Sequence, residues 1–315
     1  MAGGYDTAIF AFRLAGAPDG WSDSLILRLF RVETPGTLAR FETTVQRCVA
    51  ELGLPAPRVF LVEEDPGLLG GAFMVMERLP GEPLLRAVFG TAALRVPGLL
   101  AGIQARLHTL DSAALSRALA RAGFDPAARS AEASLCDCAR TVESLGLDGL
   151  RGAADWLGRK LPEPSPASIC HGDFHPLNVL WDGARVTGLI DWPRVHLSPA
   201  EHDVGSSIAL MSHGPIRVPA WLRPVARAAR ALLVRRYVAA YRALRPLDPA
   251  RLRYFEALRM LEFLVEEGAE QAAELAGRGR SSKPSPWADP GVQRGILARF
   301  ESLTGVRATL PRPLA

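Results

Sequence analysis

Residues 168–192 read SICHGDFHPLNVLWDGARVTGLIDW, and no other stretch constrains the fold as tightly. Asp182-Gly183, set between the apolar runs VLW and RVTGLI, is a strong hairpin signal. Such a hairpin returns Asp191 towards Asn178. Asp173 lies five residues before Asn178, so three oxygen-bearing side chains are expected to converge at one end of it.

The hairpin is embedded in a chain of changing periodicity. Residues 8–32 read as two strands around a Gly/Pro/Asp turn region. Residues 36–53 read as a helix, with Leu38, Phe41, Val45, Val49 and Leu52 at helical spacing and Gly53 at a C-terminal cap position. PAPRVFLVEED and GGAFMVMERL are two further strands. Residues 84–160 are mostly helical, 177–191 return to short strands, and 221–275 are helical again. Pro80, Gly81 and Pro83 mark a boundary near Leu79–Pro83. The expected architecture is therefore α+β: residues 1–80 as a small antiparallel-sheet lobe with one key helix, and 81–315 as a larger helical lobe. A cleft between two such lobes is a favoured ligand site. GRGRSSKPSPWADP (277–290) is expected to be an exposed loop.

Composition narrows the function classes. Hydrophobic residues make up 48% of the 315, enough for a sizeable core, and no charge-free apolar run is long enough to span a bilayer. The N-terminus MAGGYDTAIFAFRL lacks the basic, apolar and small-residue segments of a signal peptide. The cysteines at 48, 136, 138 and 170 form no paired zinc motif. A reduced, cytoplasmic protein is expected. Net charge is +4, with the arginines dispersed rather than clustered, so neither a nucleic-acid nor a membrane partner is expected. Of 37 basic side chains only Lys160 and Lys283 are lysines, so a site needing a cation in the first half of the chain before Lys160 must use arginine.

An Asp, a nearby Asn and a second Asp suit phosphoryl transfer. An amide oxygen plus a carboxylate give a magnesium ion two hard ligands. A separate carboxylate can orient an acceptor hydroxyl and take its proton. HGDFHPLNVL followed by GLIDW closely resembles the aminoglycoside phosphotransferase-like kinases, relatives of the protein kinases and choline kinases. The resemblance runs over most of the chain, with LHTLD (107–111) and PAEHDV (199–204) as further landmarks. It implies the bilobal protein-kinase-like fold, ATP and Mg2+ as cofactors, and a small-molecule alcohol as phosphoryl acceptor. On it Asp173 matches the catalytic base, Asn178 and Asp191 match the magnesium ligands, and Trp192 stands where protein kinases carry the Phe of Asp-Phe-Gly.

Such a kinase needs a strand cation to grip the nucleotide phosphates and a helix glutamate to hold that cation. SLILRLF places Arg28 among apolar residues, where a charge is costly unless paired, and Glu42 on the next helix is its candidate partner. MVMERLPG (74–81) resembles the lobe connection, which puts adenine contacts at Glu77, Arg78 and Leu79. The family has a strand ahead of its phosphate-covering loop; here Gly3 and Gly4 follow almost directly on Met1, so either that strand is missing or the true start lies upstream.

Other readings compete. H-G-D-F-H is also an H-x-D-x-H set which, with His196, His202 and Asp203, would suit a metal-dependent hydrolase. A non-catalytic nucleotide-binding homologue is a further class. His171 reads as a structural histidine, His175 as structural or phosphate-facing, and Asp203 as a backbone anchor. Glu262, Glu266 and Glu270 share a helix face that is either solvated or an acidic wall for a cationic acceptor.

Overall fold

The structure, a computed structural model, describes residues 7–16, 18–21, 23–88, 90–215, 218–277 and 285–312. Gly3, Gly4 and Lys283 lie outside them. The chain opens with β1 (Thr7–Phe12) and β2 (Leu25–Phe30), then α1 (Gly36–Glu51), β3 (Val59–Glu63) and β4 (Phe73–Glu77). Next come β5 (Glu82–Pro83), α2 (Leu85–Val88), α3 (Val96–Leu107), α4 (Ser112–Arg121), α5 (Ala131–Ser144) and α6 (Asp148–Arg159). The strands β6 (Ser168–Cys170), β7 (Val179–Trp181), β8 (Val186–Leu189) and β9 (His196–Ser198) follow. The chain continues as α7 (Ala200–His213), α8 (Arg223–Leu244), α9 (Pro249–Leu275) and α10 (Pro290–Thr304). Among the described residues no helix is long and apolar enough to cross a membrane.

By compactness the chain divides into two units, Met1–Pro126 with His175–Val195, and Ala127–Phe174 with His196–Ala315. The lobe boundary expected at residue 80 is a different partition. Compactness carries the first unit beyond it because β5 pairs with β7 and α1 packs against α4.

In the first unit, four antiparallel strands lie in the order β1-β2-β4-β3. Strand alternation sends Ile26, Arg28 and Phe30 of β2 to one face and Leu25, Leu27 and Leu29 to the other. The first face packs with Ala39 of α1, Met74 and Met76. Ala39, Glu42, Gln46 and Val49 of α1 recur at spacings of three and four and are all buried. Gly53, at φ +86°, takes the left-handed conformation that ends α1, as its cap position predicts. The predicted hairpin is β7 and β8, with Asp182 Oδ1 accepting from the N–H groups of Ala184 and Arg185 at 2.9 Å. β5 adds to β7 to make a three-stranded sheet.

In the second unit, α5, α6, α7, α9 and α10 enclose one core. Leu135, Val142, Leu157, Leu258, Phe263 and Phe300 are among its buried members. The short strands β6 and β9, which the periodicity did not reveal, pair antiparallel with Cys170 opposite His196. The expected exposed loop at 277–290 needs correction over its described part. Trp287 is buried and stacks on Phe263 with ring centroids 3.8 Å apart, because the apolar indole finds a place in the core.

Candidate active site

The first unit holds an arginine between two carboxylates. Arg28 points to the α1 face of the sheet. Its Nη1 donates to Glu42 Oε2 at 2.7 Å and its Nη2 to Glu42 Oε1 at 3.4 Å. The same Nη2 donates to Asp191 Oδ1 at 2.9 Å, a contact the sequence did not disclose. The Glu42 side chain is 1% exposed, that of Arg28 12% and that of Asp191 39%. A buried guanidinium needs such partners. Burial pushes the Glu42 carboxyl up to about 7, outweighing the downward pull of Arg28; Asp191 adds to the rise, and the Trp192 N–H bond works against it.

Asp191 follows directly from the hairpin. The Ile190 N–H donates to the Asn178 carbonyl at 3.0 Å, which brings the strand end back beside Asn178. Asp191 has φ +73°, the one positive φ at a non-glycine among the described residues. That conformation is disfavoured for a side chain, and such strain concentrates at functional positions. Asn178 is buried, and its amide nitrogen lies 3.4 Å from His175 Nε2. The amide oxygen is then turned away from that ring, while Asp191 supplies a carboxylate. Both are hard oxygen donors that fit a magnesium ion.

The segment expected to contact adenine is already committed in part. The Glu77 N–H donates to the Arg58 carbonyl, and the Glu77 carboxylate accepts from Arg58 Nε at 3.2 Å. The Arg78 N–H donates to the Ser24 carbonyl at 3.0 Å. Thr187 Oγ1 donates to the Pro80 carbonyl at 2.6 Å. These bonds fix the backbone on both sides of Leu79.

The second unit holds Asp173. Gly172, at φ +76°, makes the turn that no side-chain-bearing residue adopts cheaply. Its N–H donates to Asp203 Oδ1 at 2.8 Å, the backbone anchor expected of Asp203. The Asp173 N–H donates to Nδ1 of the fully buried His171 at 3.3 Å, so His171 holds the loop's backbone. Nη2 of Arg259, on α9, lies 3.9 Å from Asp173 Oδ1. The sequence reading missed Arg259. Its signal was available, since ALRMLEFL is a lone cation in an apolar run, just as SLILRLF is around Arg28.

Of the expected acidic face on α9, Glu262 accepts from Arg259, and Glu262, Glu266 and Glu270 are all half-buried. Elsewhere on the helix Glu256 accepts from Arg299 and Glu267 from Gln271 and Gln293. Burial holds His202 below its ordinary range and His196 down at about 3. Among the described residues no three His, Cys, Asp or Glu side chains gather in a metal-holding group, so the hydrolase reading finds no ligand cluster there.

An antiparallel sheet whose strand arginine is gripped by a helix glutamate, in a chain that also has a mainly helical unit, is the protein-kinase-like fold class. Within it, the profile of the phosphotransferase enzyme family matches residues 2–273, and the chain belongs to that family. A candidate aminoglycoside phosphotransferase from Ralstonia eutropha JMP134 superposes with TM-score 0.68 at 18% identity, covering 98% of this chain and 95% of that one. A thermostable mutant of aminoglycoside phosphotransferase APH(4)-Ia, in a ternary complex with AMP-PNP and hygromycin B, gives 0.58 at 18% identity, covering 97% and 92%. In sequence, the aminoglycoside 3'-phosphotransferase of Streptomyces fradiae is 28% identical over 165 residues, 48% of this chain and 57% of that enzyme. Mouse acyl-CoA dehydrogenase family member 10 is 24% identical over 172 residues, 53% of this chain. The match spans only 16% of that mouse protein's length.

Proposed function

We propose that this protein transfers the γ-phosphoryl group of ATP to a hydroxyl of a small molecule. The observation that carries the reading is Arg28, held at once by Glu42 and by Asp191. An arginine fork fixed in this way can present its charge to nucleotide phosphates with little reorganisation. The segment Glu77, Arg78 and Leu79 faces adenine. With the Glu77 and Arg78 N–H groups engaged, Leu79 is the residue whose backbone meets the base. Asn178 and Asp191 hold magnesium, which when bound neutralises phosphate charge as the transfer proceeds. Asp173 orients the acceptor hydroxyl and takes its proton. The acceptor oxygen bonds to the γ-phosphorus as the bond from phosphorus to the β–γ bridging oxygen breaks, and ADP leaves. Positioning and charge stabilisation supply most of the rate. The relatives that act on aminoglycosides, and the homoserine kinase of Nitrobacter hamburgensis that is 42% identical over 55 residues, support an alcohol acceptor.

The test is Asp173→Ala against a panel of aminoglycosides, amino alcohols and sugars, following ATP consumption. The wild type consumes ATP with at least one acceptor. The variant binds ATP as before, by calorimetry, and transfers nothing. Full turnover in the variant would sink the mechanism.

A further inference from the structure

Arg259 is a buried arginine, and no motif marks it. It sits in the middle of α9 between the buried residues Leu258 and Met260, its side chain 3% exposed. Its Nη1 donates to Glu262 Oε2 at 2.5 Å, and its guanidinium lies over the Phe263 ring at 4.8 Å. Its Nε is buried and has no hydrogen-bond partner among the described residues. The polar reach of the group is thus concentrated at its far end, where Nη2 lies 3.9 Å from Asp173 Oδ1.

The placement decides between roles. A side chain that is 3% exposed offers an acceptor molecule little to bind. One arm answers Glu262, one turn away on the same helix. The other arm crosses to the loop that follows β6. Helix α9 belongs to the core of its unit, so the group projects from a rigid support. Glu262, 13% exposed, is the fixed end of the arrangement. Asp173, 25% exposed, is the end that can meet a substrate.

We propose that Arg259, fixed by Glu262, is the positioning residue for Asp173, holding its carboxylate in the orientation that takes the acceptor proton. The inference deepens the phosphotransferase reading and rests on Asp173 being the base.

The experiment measures ADP release from Mg·ATP with water as acceptor, so that no acceptor need be known. It uses the full chain and the variants Arg259→Met, Arg259→Lys, Asp173→Asn and the Asp173→Asn/Arg259→Met double variant. Arg259→Met lowers kcat by about 10²-fold, the scale of a misplaced catalytic group, while the KM for ATP holds. Arg259→Lys recovers part of the loss, because an ammonium keeps the charge without the fork. In the Asp173→Asn background Arg259→Met costs nothing further, since the two act as one unit. Wild-type kcat in Arg259→Met, or the same fold-loss on top of Asp173→Asn, overturns the proposal. Urea unfolding of the wild type, Arg259→Met, Asp173→Asn and the double variant reads the contact without any turnover. A coupling of about fivefold or more in the unfolding equilibrium constant is expected, and additive effects overturn the proposal. If Asp173→Asn keeps wild-type turnover while that coupling is present, the base assignment fails instead.

Discussion

Replacing Glu42 by glutamine probes what burial does to the grip on Arg28. Glu42 is 1% exposed, and its carboxyl is pushed up to about 7 from an ordinary 4.5, first by burial. A folded state that holds a proton more tightly than the unfolded chain is favoured while that proton stays bound. Glu42 therefore contributes fully below pH 4.5, and the contribution is lost as pH rises through about 7. The window spans about 2.5 pH units, and at about 1.36 kcal/mol per unit the loss comes to about 3 kcal/mol. Glutamine has the shape of the protonated acid and does not titrate. The measurement is urea unfolding of wild type and Glu42→Gln at intervals from pH 4 to pH 8.5, taking the difference so that every other titrating group cancels. The variant should gain on the wild type by about 3 kcal/mol across the window, with a slope no steeper than about 1.4 kcal/mol per unit. Parallel curves would refute the reasoning. A gap moving the other way would mean that Arg28, rather than desolvation, governs the carboxyl.

Two further outcomes follow from the second unit. His202 is buried and held below its ordinary pKa by desolvation, so its contribution is intact above pH 6.5 and is lost as the solution is acidified; His202→Gln should flatten the acid side of the stability–pH curve, read by urea midpoints at pH 7 and pH 5. Trp287→Ala should cost about 3–5 kcal/mol in urea unfolding through the lost stack on Phe263, whereas Trp287→Phe should cost clearly less, because the buried indole Nε1 has no partner among the described residues; equal costs would count against the packing argument.

Much of the fold was legible because apolar spacing and turn chemistry are local. The short apolar run SLILRLF beyond a Gly/Pro/Asp turn region, the helical spacing from Leu38 to Leu52 with Gly53 after it, and Asp182-Gly183 between apolar runs each state their element outright. β6 and β9 were not legible, since three residues carry too little periodicity to stand out. Trp287 was lost inside a run of Gly, Ser and Pro that reads as open loop.

By itself the sequence determined the chemistry on offer: an Asp, an Asn and a second Asp at fixed separations, a strand arginine among apolar neighbours, and a glutamate on the following helix. Each depends on covalent spacing and on the period of one element. Only the tertiary structure decided which charges answer one another. Arg28 meets Asp191 across 163 positions of chain, and Arg259 reaches Asp173 from a helix with no motif of its own. Desolvation acts the same way, because a carboxyl such as Glu42 is pushed up by the packing around it, and that packing comes from residues distant in sequence.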